Sequence, residues 1–246
     1  MNGFEREVAD RVAANATDKP LLAAADEFMN ASIAAKYSYN FSWLGRPIIQ
    51  YPQDIVAMQE LIWSLQPELI VETGIAHGGS LIFSASMLEL NAACGGPADA
   101  RVVGVDIDIR AHNRKAIEAH PMFRRISMIE GSSVAPTVVE SVRAMAAGKK
   151  SVLVCLDSNH THEHVLAELE AYAPMTTVGS YCVVFDTIVE DLPESLSGDR
   201  PWGPGDNPKT AARRYLAKHP EFEIDSRFDA KLLIGVAPQG YLRRVR

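Results

Sequence analysis

Cysteine is scarce, positive charge is in deficit, and no long apolar run occurs. The 246 residues hold three cysteines, Cys94, Cys155 and Cys182. They are odd in number and have no metal-ligand spacing, which argues against a disulfide scaffold. Cys155 and Cys182 fall inside apolar runs and read as small core residues. The formal net charge is −7, so no general basic field gathers phosphates, and nucleic acid is not expected as a partner. The arginines Arg243, Arg244 and Arg246 read as a solvated tail. No stretch approaches the ~18 apolar residues of a membrane span, so no integral membrane segment is expected. The opening MNGFEREVAD lacks the apolar core of a secretory signal, and the expectation is a cytoplasmic, reduced location. Internal repeats, low-complexity tracts and the dinucleotide spacing G-x-G-x-x-G are also missing.

What is present is a rhythm. Residues 1–36 carry apolar positions spaced for partly amphipathic helices, broken near Asp18-Lys19-Pro20. Residues 37–55, rich in aromatics and proline, read as an irregular connection with a short extended piece. A helix is predicted over about 54–65. Short, continuous apolar strands follow at about 68–72, 101–106, 126–130, 151–157 and 178–186. Helical segments separate them at about 79–91, 110–119, 134–147 and 162–172. Continuous rather than alternating strands are covered on both faces. The alternation predicts an α/β fold, a doubly wound and mostly parallel sheet with right-handed crossovers. A helix at about 208–218 and strands near 222–226 and 231–237 are expected to close it, giving seven strands.

The strand ends carry the chemistry. The first runs into VETGIAHGGS (71–80), where Gly74, Gly78 and Gly79 permit a sharp turn and close backbone approach. Glu72 adds a negative charge that repels phosphate and suits a cationic amino group. The second ends at Asp106, placed to accept hydrogen bonds from ribose hydroxyls. After the third, Ser132 or Ser133 either meets an adenine edge or caps a helix. Together these suit an adenosine whose other end is an amino acid. The fourth strand ends in LDSNHTHEH (156–164) and the fifth in VVFD (183–186). In the strand order 3-2-1-4-5, Asp157 and Asp186 sit on neighbours about 4.8 Å apart. Such a pair raises one carboxyl pKa or binds a hard divalent cation such as Mg²⁺. His160 is then placed to take a proton from a hydroxyl. His162 and His164 do not share a helix face with it, which argues against a three-histidine site. Residues 187–207 form a long patternless connection that reads as a lid, with Trp202 and Arg200 as candidate covering residues and Glu190 and Asp191 as further candidate ligands.

These blocks, with WLGRPIIQYPQDI (43–55), VVGVDIDIR (102–110), GSYCVVFDT (179–187) and RPWGPGDNPKTA (200–211), resemble the cephalosporin hydroxylase/rhamnosyl O-methyltransferase family. The likeness runs from about Tyr37 to about Leu233. It implies a Rossmann-like class I methyltransferase that binds S-adenosylmethionine near Glu72, Gly74, Ser80, Asp106, Ser133 and Asp157. It further implies Asp157 and Asp186 as ligands of Mg²⁺, His160 as base, a sugar hydroxyl (on a glycan, glycolipid or natural product) as acceptor, and a homo-oligomer. Related enzymes carry two adjacent acids at the fifth strand end; here the first is Phe185. The expected division is a helical cap over 1–53 and a methyltransferase domain over 54–246. Rival readings are a non-catalytic or metal-independent relative and an NAD-dependent oxidoreductase.

Overall fold

The computed structural model describes residues 2–246. Helices α1 (Gly3–Asn15) and α2 (Lys19–Ala34) lead into a two-stranded hairpin, β1 (Ser42–Trp43) and β2 (Arg46–Pro47), and then α3 (Pro52–Leu65). Asn2 and Asp18 cap the first two helices by accepting the amides of Glu5 and Leu21. Pro52 opens α3, and Gln66, in a left-handed conformation ahead of Pro67, ends it.

The alternating region follows: β3 (Leu69–Thr73), α4 (Gly79–Ala93), β4 (Arg101–Asp106), α5 (Ala111–Glu118), β5 (Ile126–Glu130), α6 (Pro136–Ala146), β6 (Val152–Leu156), α7 (His162–Tyr172) and β7 (Tyr181–Val184). The chain closes with α8 (Pro208–Leu216), β8 (Phe222–Ile224), α9 (Arg227–Leu232) and β9 (Tyr241–Arg244). The seven strands order as β5-β4-β3-β6-β7-β9-β8. The first five are parallel, and β9 runs antiparallel between β7 and β8. This is the doubly wound sheet expected from the strand–helix rhythm. Among the described residues, no helix is long and apolar enough to cross a membrane.

Strand side chains alternate between two cores. Ile70, Val102, Leu153, Cys155 and Val183 pack with α3, α4 and Ile117 of α5. Leu69, Val71, Val103, Val154 and Cys182 pack with α6, α7 and α8. Fully buried Ile62, Ile70, Leu81 and Leu153 each contribute roughly 1.5–3 kcal/mol over an exposed position. Burial on both faces explains the unbroken apolar strands. All three cysteines are free, with Cys155 and Cys182 buried as expected.

Two expectations at the C-terminal end fail. Residues 231–237 are not a strand: they finish α9 and continue as an irregular segment. Leu233 and Gln239 adopt positive φ, which breaks an extended run. The Val236 amide, which a strand would spend in a ladder, donates instead to the buried Asp54 carboxylate at 2.9 Å. The last strand is β9, so Arg243 and Arg244 are not a solvated tail. Their backbones pair with β7 and β8, and the Arg244 guanidinium donates to the carbonyls of Pro174 and Thr176.

Candidate active site

The carboxyl ends of β3, β4, β6 and β7 converge on one edge of the sheet. Gly74 begins the turn after β3 at φ +92°, and a Cβ there would lie 2.0 Å from the carbonyl oxygen of Asp157. Only glycine fits this crossing of two strand tips. The Asp106 carboxylate accepts the amides of Ile75 at 2.8 Å and Ala76 at 3.2 Å, and its other oxygen accepts the Asp108 amide at 3.1 Å. Asn113 donates to the Ala76 carbonyl at 2.9 Å, and Arg46 donates to the His77 carbonyl and to Asn113. The glycine loop is therefore held open by side chains from β2, β4 and α5. Asn113 and Arg46 escape sequence reasoning, since neither carries a periodic or spacing signal. Ile107, beside Asp106, is 73% exposed, an apolar side chain open to solvent at the end of β4.

Beneath this loop lies a cleft lined by Gln50, Asp54, Glu72, Thr73, Gly74, Ser80 and Asp157. No lysine, arginine or histidine lines it. Glu72 is buried and accepts the Ser84 hydroxyl; burial first raises its pKa, which the Ser84 and Ser80 hydroxyls partly counter. Asp54 is 1% exposed, and burial, with the nearby Asp186 charge, pushes its carboxyl up to about 7. One Asp54 oxygen and the Gln50 carbonyl oxygen have no hydrogen-bond partner. The buried Asp54 and Glu72 and the half-buried Asp157, with no cationic side chain among them, make a site suited to a positively charged group.

Next to it stand Asp157, His160 and Asp186, with one ligand atom from each inside a group 4.8 Å across. His160 Nε2 is 3.3 Å from Asp186 Oδ2. Asp186 holds a left-handed conformation, φ +54°, immediately after Phe185. Aspartate tolerates that region better than most residues, and the twist separates it from the buried Phe185 ring. Burial, then the Asp186 and Glu72 charges, raise the Asp157 carboxyl well above its usual range. Two carboxylates and an imidazole at this spacing fit a divalent cation with oxygen preference and room for water. Phe185 lines the cleft described above.

Other predicted residues go elsewhere. Ser133 is buried, with its hydroxyl 3.1 Å from His164 Nε2, and it does not cap α6, whose first flanking residue is Ala135. His162 bonds Thr210 at 2.8 Å, so neither it nor His164 joins His160. The lid candidates Glu190 and Asp191 do not join the Asp157–His160–Asp186 group. Glu190 accepts the Gly205 amide and the Asn207 side chain, and Asp191 pairs with Lys209. These contacts clasp the two ends of the 187–207 segment. Trp202 lies edge-on to His160 at 4.8 Å, with Arg200 over its ring at 5.7 Å.

Residues 35–245 match the family described as Rhamnosyl O-methyltransferase/CmcI. The rhamnosyl O-methyltransferase of Mycobacterium tuberculosis (strain H37Rv) is 31% identical over 198 residues, covering 78% of this chain and 73% of that one. The Mycobacterium leprae enzyme of the same name is 30% identical over 209 residues, covering 82% of each. Among solved structures, cmcI with Mg and SAM aligns at TM-score 0.58 and 19% identity, covering 85% of this chain and 78% of its own. An O-methyltransferase from Bacillus cereus in complex with SAH aligns at 0.51 and 17% identity, covering 81% of each. At such identities the structural likeness speaks for the fold. With the family match spanning nearly the whole sequence, this chain belongs to the rhamnosyl O-methyltransferase/CmcI family.

Proposed function

We propose that the protein transfers a methyl group from S-adenosylmethionine to a sugar hydroxyl with the help of a divalent cation. The observation that carries this reading is the pairing of two sites at one sheet edge. A cleft with the buried Asp54 and Glu72, the half-buried Asp157 and no cationic side chain in its lining adjoins the Asp157–His160–Asp186 group. The first suits a donor whose amino acid end and sulfur are positive. The second suits activation of an alcohol.

Each residue has a part. Glu72, Gly74 and Ser80 hold the methionine end, with Asp157 at its border. Asp106 keeps the glycine loop open and faces the ribose, while Ser133 shapes the adenine end. Asp157 and Asp186 would hold the cation. A bound Mg²⁺ would lower the pKa of the acceptor hydroxyl. His160, turned by Asp186, takes the hydroxyl proton. The oxygen then forms a C–O bond as the methyl–sulfur bond breaks, its electron pair leaving with sulfur; the chain supplies mainly alignment. Trp202 shields His160 from water. A cavity of about 690 Å³ bounded by α2, residues 188–193 and the 229–238 segment is not lined by Asp157, His160 or Asp186, and would take the part of the acceptor remote from the reacting hydroxyl. Asp54 borders both this cavity and the donor cleft. Residues 1–53 serve as a cap, and α1, which buries none of its side chains, is available for contacts between copies.

The test is methyl transfer from labelled S-adenosylmethionine to octyl rhamnoside, with Mg²⁺ and with EDTA. Transfer that EDTA abolishes and Mg²⁺ restores is the expected result. Equal transfer in EDTA rejects the cation's role; failure to bind S-adenosylhomocysteine rejects the donor. A metal-independent relative is the second reading, favoured by Phe185 standing where a second acid is expected. Absence of Mn²⁺ binding in the presence of S-adenosylhomocysteine would select it.

A further inference from the structure

The block LDSNHTHEHVLAELEAY contributes Asp157 and His160 to the site and leaves Ser158, His164, Glu168 and Tyr172 unused. His164, Glu168 and Tyr172 recur every four residues, so they share one face of α7. That face is polar where α7 meets the sheet. Glu168 is 0% exposed, and no lysine or arginine pairs with it among the described residues. Its Oε1 accepts the Ser158 hydroxyl at 2.6 Å and lies 3.4 Å from His164 Nε2; its Oε2 has no partner. His164 Nε2 is also 3.1 Å from the Ser133 hydroxyl and 3.4 Å from that of Ser158. The Tyr172 hydroxyl donates to the Ser133 carbonyl at 2.6 Å.

Burying a carboxylate this deeply costs several kcal/mol, and the adjacent Val165 and Leu169 show that apolar side chains pack here without difficulty. The column therefore does something that packing alone does not require. Its ends identify what. Ser133 belongs to the loop after β5, at the adenine end of the donor site. Ser158 directly follows Asp157, and its Cα would lie 3.2 Å from a Cβ on Gly74. One face of α7 thus grips the loop that shapes the donor's adenine end and the loop that carries Asp157 and His160.

We propose that Ser133, His164, Glu168 and Ser158 form a clamp that couples donor binding to cation binding, with His164 and Glu168 as positioning residues. The proposal rests on the donor and cation sites assigned above. Ordering the 131–134 loop around adenine fixes Ser133, and through His164 and Glu168 it fixes Ser158 and the Asp157–His160 loop. By linkage, cation binding tightens the donor site by the same factor. Neither positioning residue touches the reacting atoms.

The experiment is a Mn²⁺ titration, followed by the loss of the free-ion electron paramagnetic resonance signal, with and without S-adenosylhomocysteine. That ligand carries no sulfonium charge, so direct repulsion of the cation is small. In the wild type it should tighten Mn²⁺ binding about tenfold, and Mn²⁺ should tighten its binding equally. Asp157 borders both sites and offers a direct route, so some coupling survives in any variant. His164→Ala and Glu168→Gln should each reduce the coupling at least threefold while Mn²⁺ still binds alone. His164 is partly exposed, so its removal leaves the fold intact as judged by thermal melting. Unchanged coupling in His164→Ala, or no coupling in the wild type, overturns the clamp. Failure of the wild type to bind either ligand overturns the underlying sites, and the clamp falls with them.

Discussion

The donor half of the sheet edge and the chemical half are built on opposite principles. Around β3 and β4, the glycine loop is held by satisfied hydrogen bonds from Asp106, Asn113 and Arg46. Around β6 and β7, like charges face one another: Asp157 is raised well above its usual range, and Asp186 sits in a left-handed conformation. The first half is preorganised without its ligand. The second is electrostatically frustrated, and the 187–207 segment beside it is clasped by the Glu190–Asn207 and Asp191–Lys209 contacts. On the proposed function, the rigid half would hold the donor and the frustrated half would spend its repulsion on binding a cation and activating an oxygen.

The contrast can be broken most severely at the chemical half. His160→Ala should lower methyl transfer about 10³-fold while S-adenosylhomocysteine affinity changes less than threefold, as read by kinetics and calorimetry. A parallel loss of donor affinity would show that the halves are not separate. Gly74→Ala should do the reverse damage. Its Cβ meets the Asp157 carbonyl at 2.0 Å, with φ at +92°, so the fold should lose about 3 kcal/mol and donor binding should collapse. A variant that melts like the wild type would deny that crossing.

The pH dependence of stability sharpens the comparison. Asp54 rises from 3.8 to about 7 in the folded protein, so the folded state keeps a proton that the unfolded chain releases. Its contribution is complete below pH 4 and is lost as pH climbs through 7. The loss is at most about 4 kcal/mol. Asp157 acts in the same direction. Asp54→Asn should flatten the Tm–pH curve between pH 5 and 8, and Mn²⁺ should raise Tm most at the high end. A wild-type Tm that rises across this window contradicts both groups. The smallest effect belongs to the lid. Glu190→Ala releases the Gly205 and Asn207 contacts and should lower kcat/KM about fivefold, with S-adenosylhomocysteine affinity unchanged.

Sequence alone makes the donor half more legible than the chemical half. Apolar strands and the Gly74 turn are local signals, so β3 to β7 fall within a few residues of their predicted places. Asp157, His160 and Asp186 are also local, being strand ends of neighbouring strands, and the structure brings them together. Long-range partners are not legible. Nothing in the run KLLIGVAP announces that Asp54, some 180 residues earlier, claims the Val236 amide, so that run reads as a strand. The arginine-rich end looks solvated because pairing with β7 is a property of the folded sheet. Ser133 also reads as a helix cap, which it is not, because its partner His164 lies across a helix. Glu190 and Asp191 look like ligands until Asn207 and Lys209 are seen to claim them.

The most direct test is a crystal soaked with S-adenosylhomocysteine and Mn²⁺, with anomalous scattering recorded at the manganese edge. One peak within bonding distance of Asp157 and Asp186, with the sulfur of the bound ligand facing it from the Glu72–Gly74 side, is the predicted result. A ligand seated away from the glycine loop, or manganese bound elsewhere with these carboxylates bare, would contradict the account.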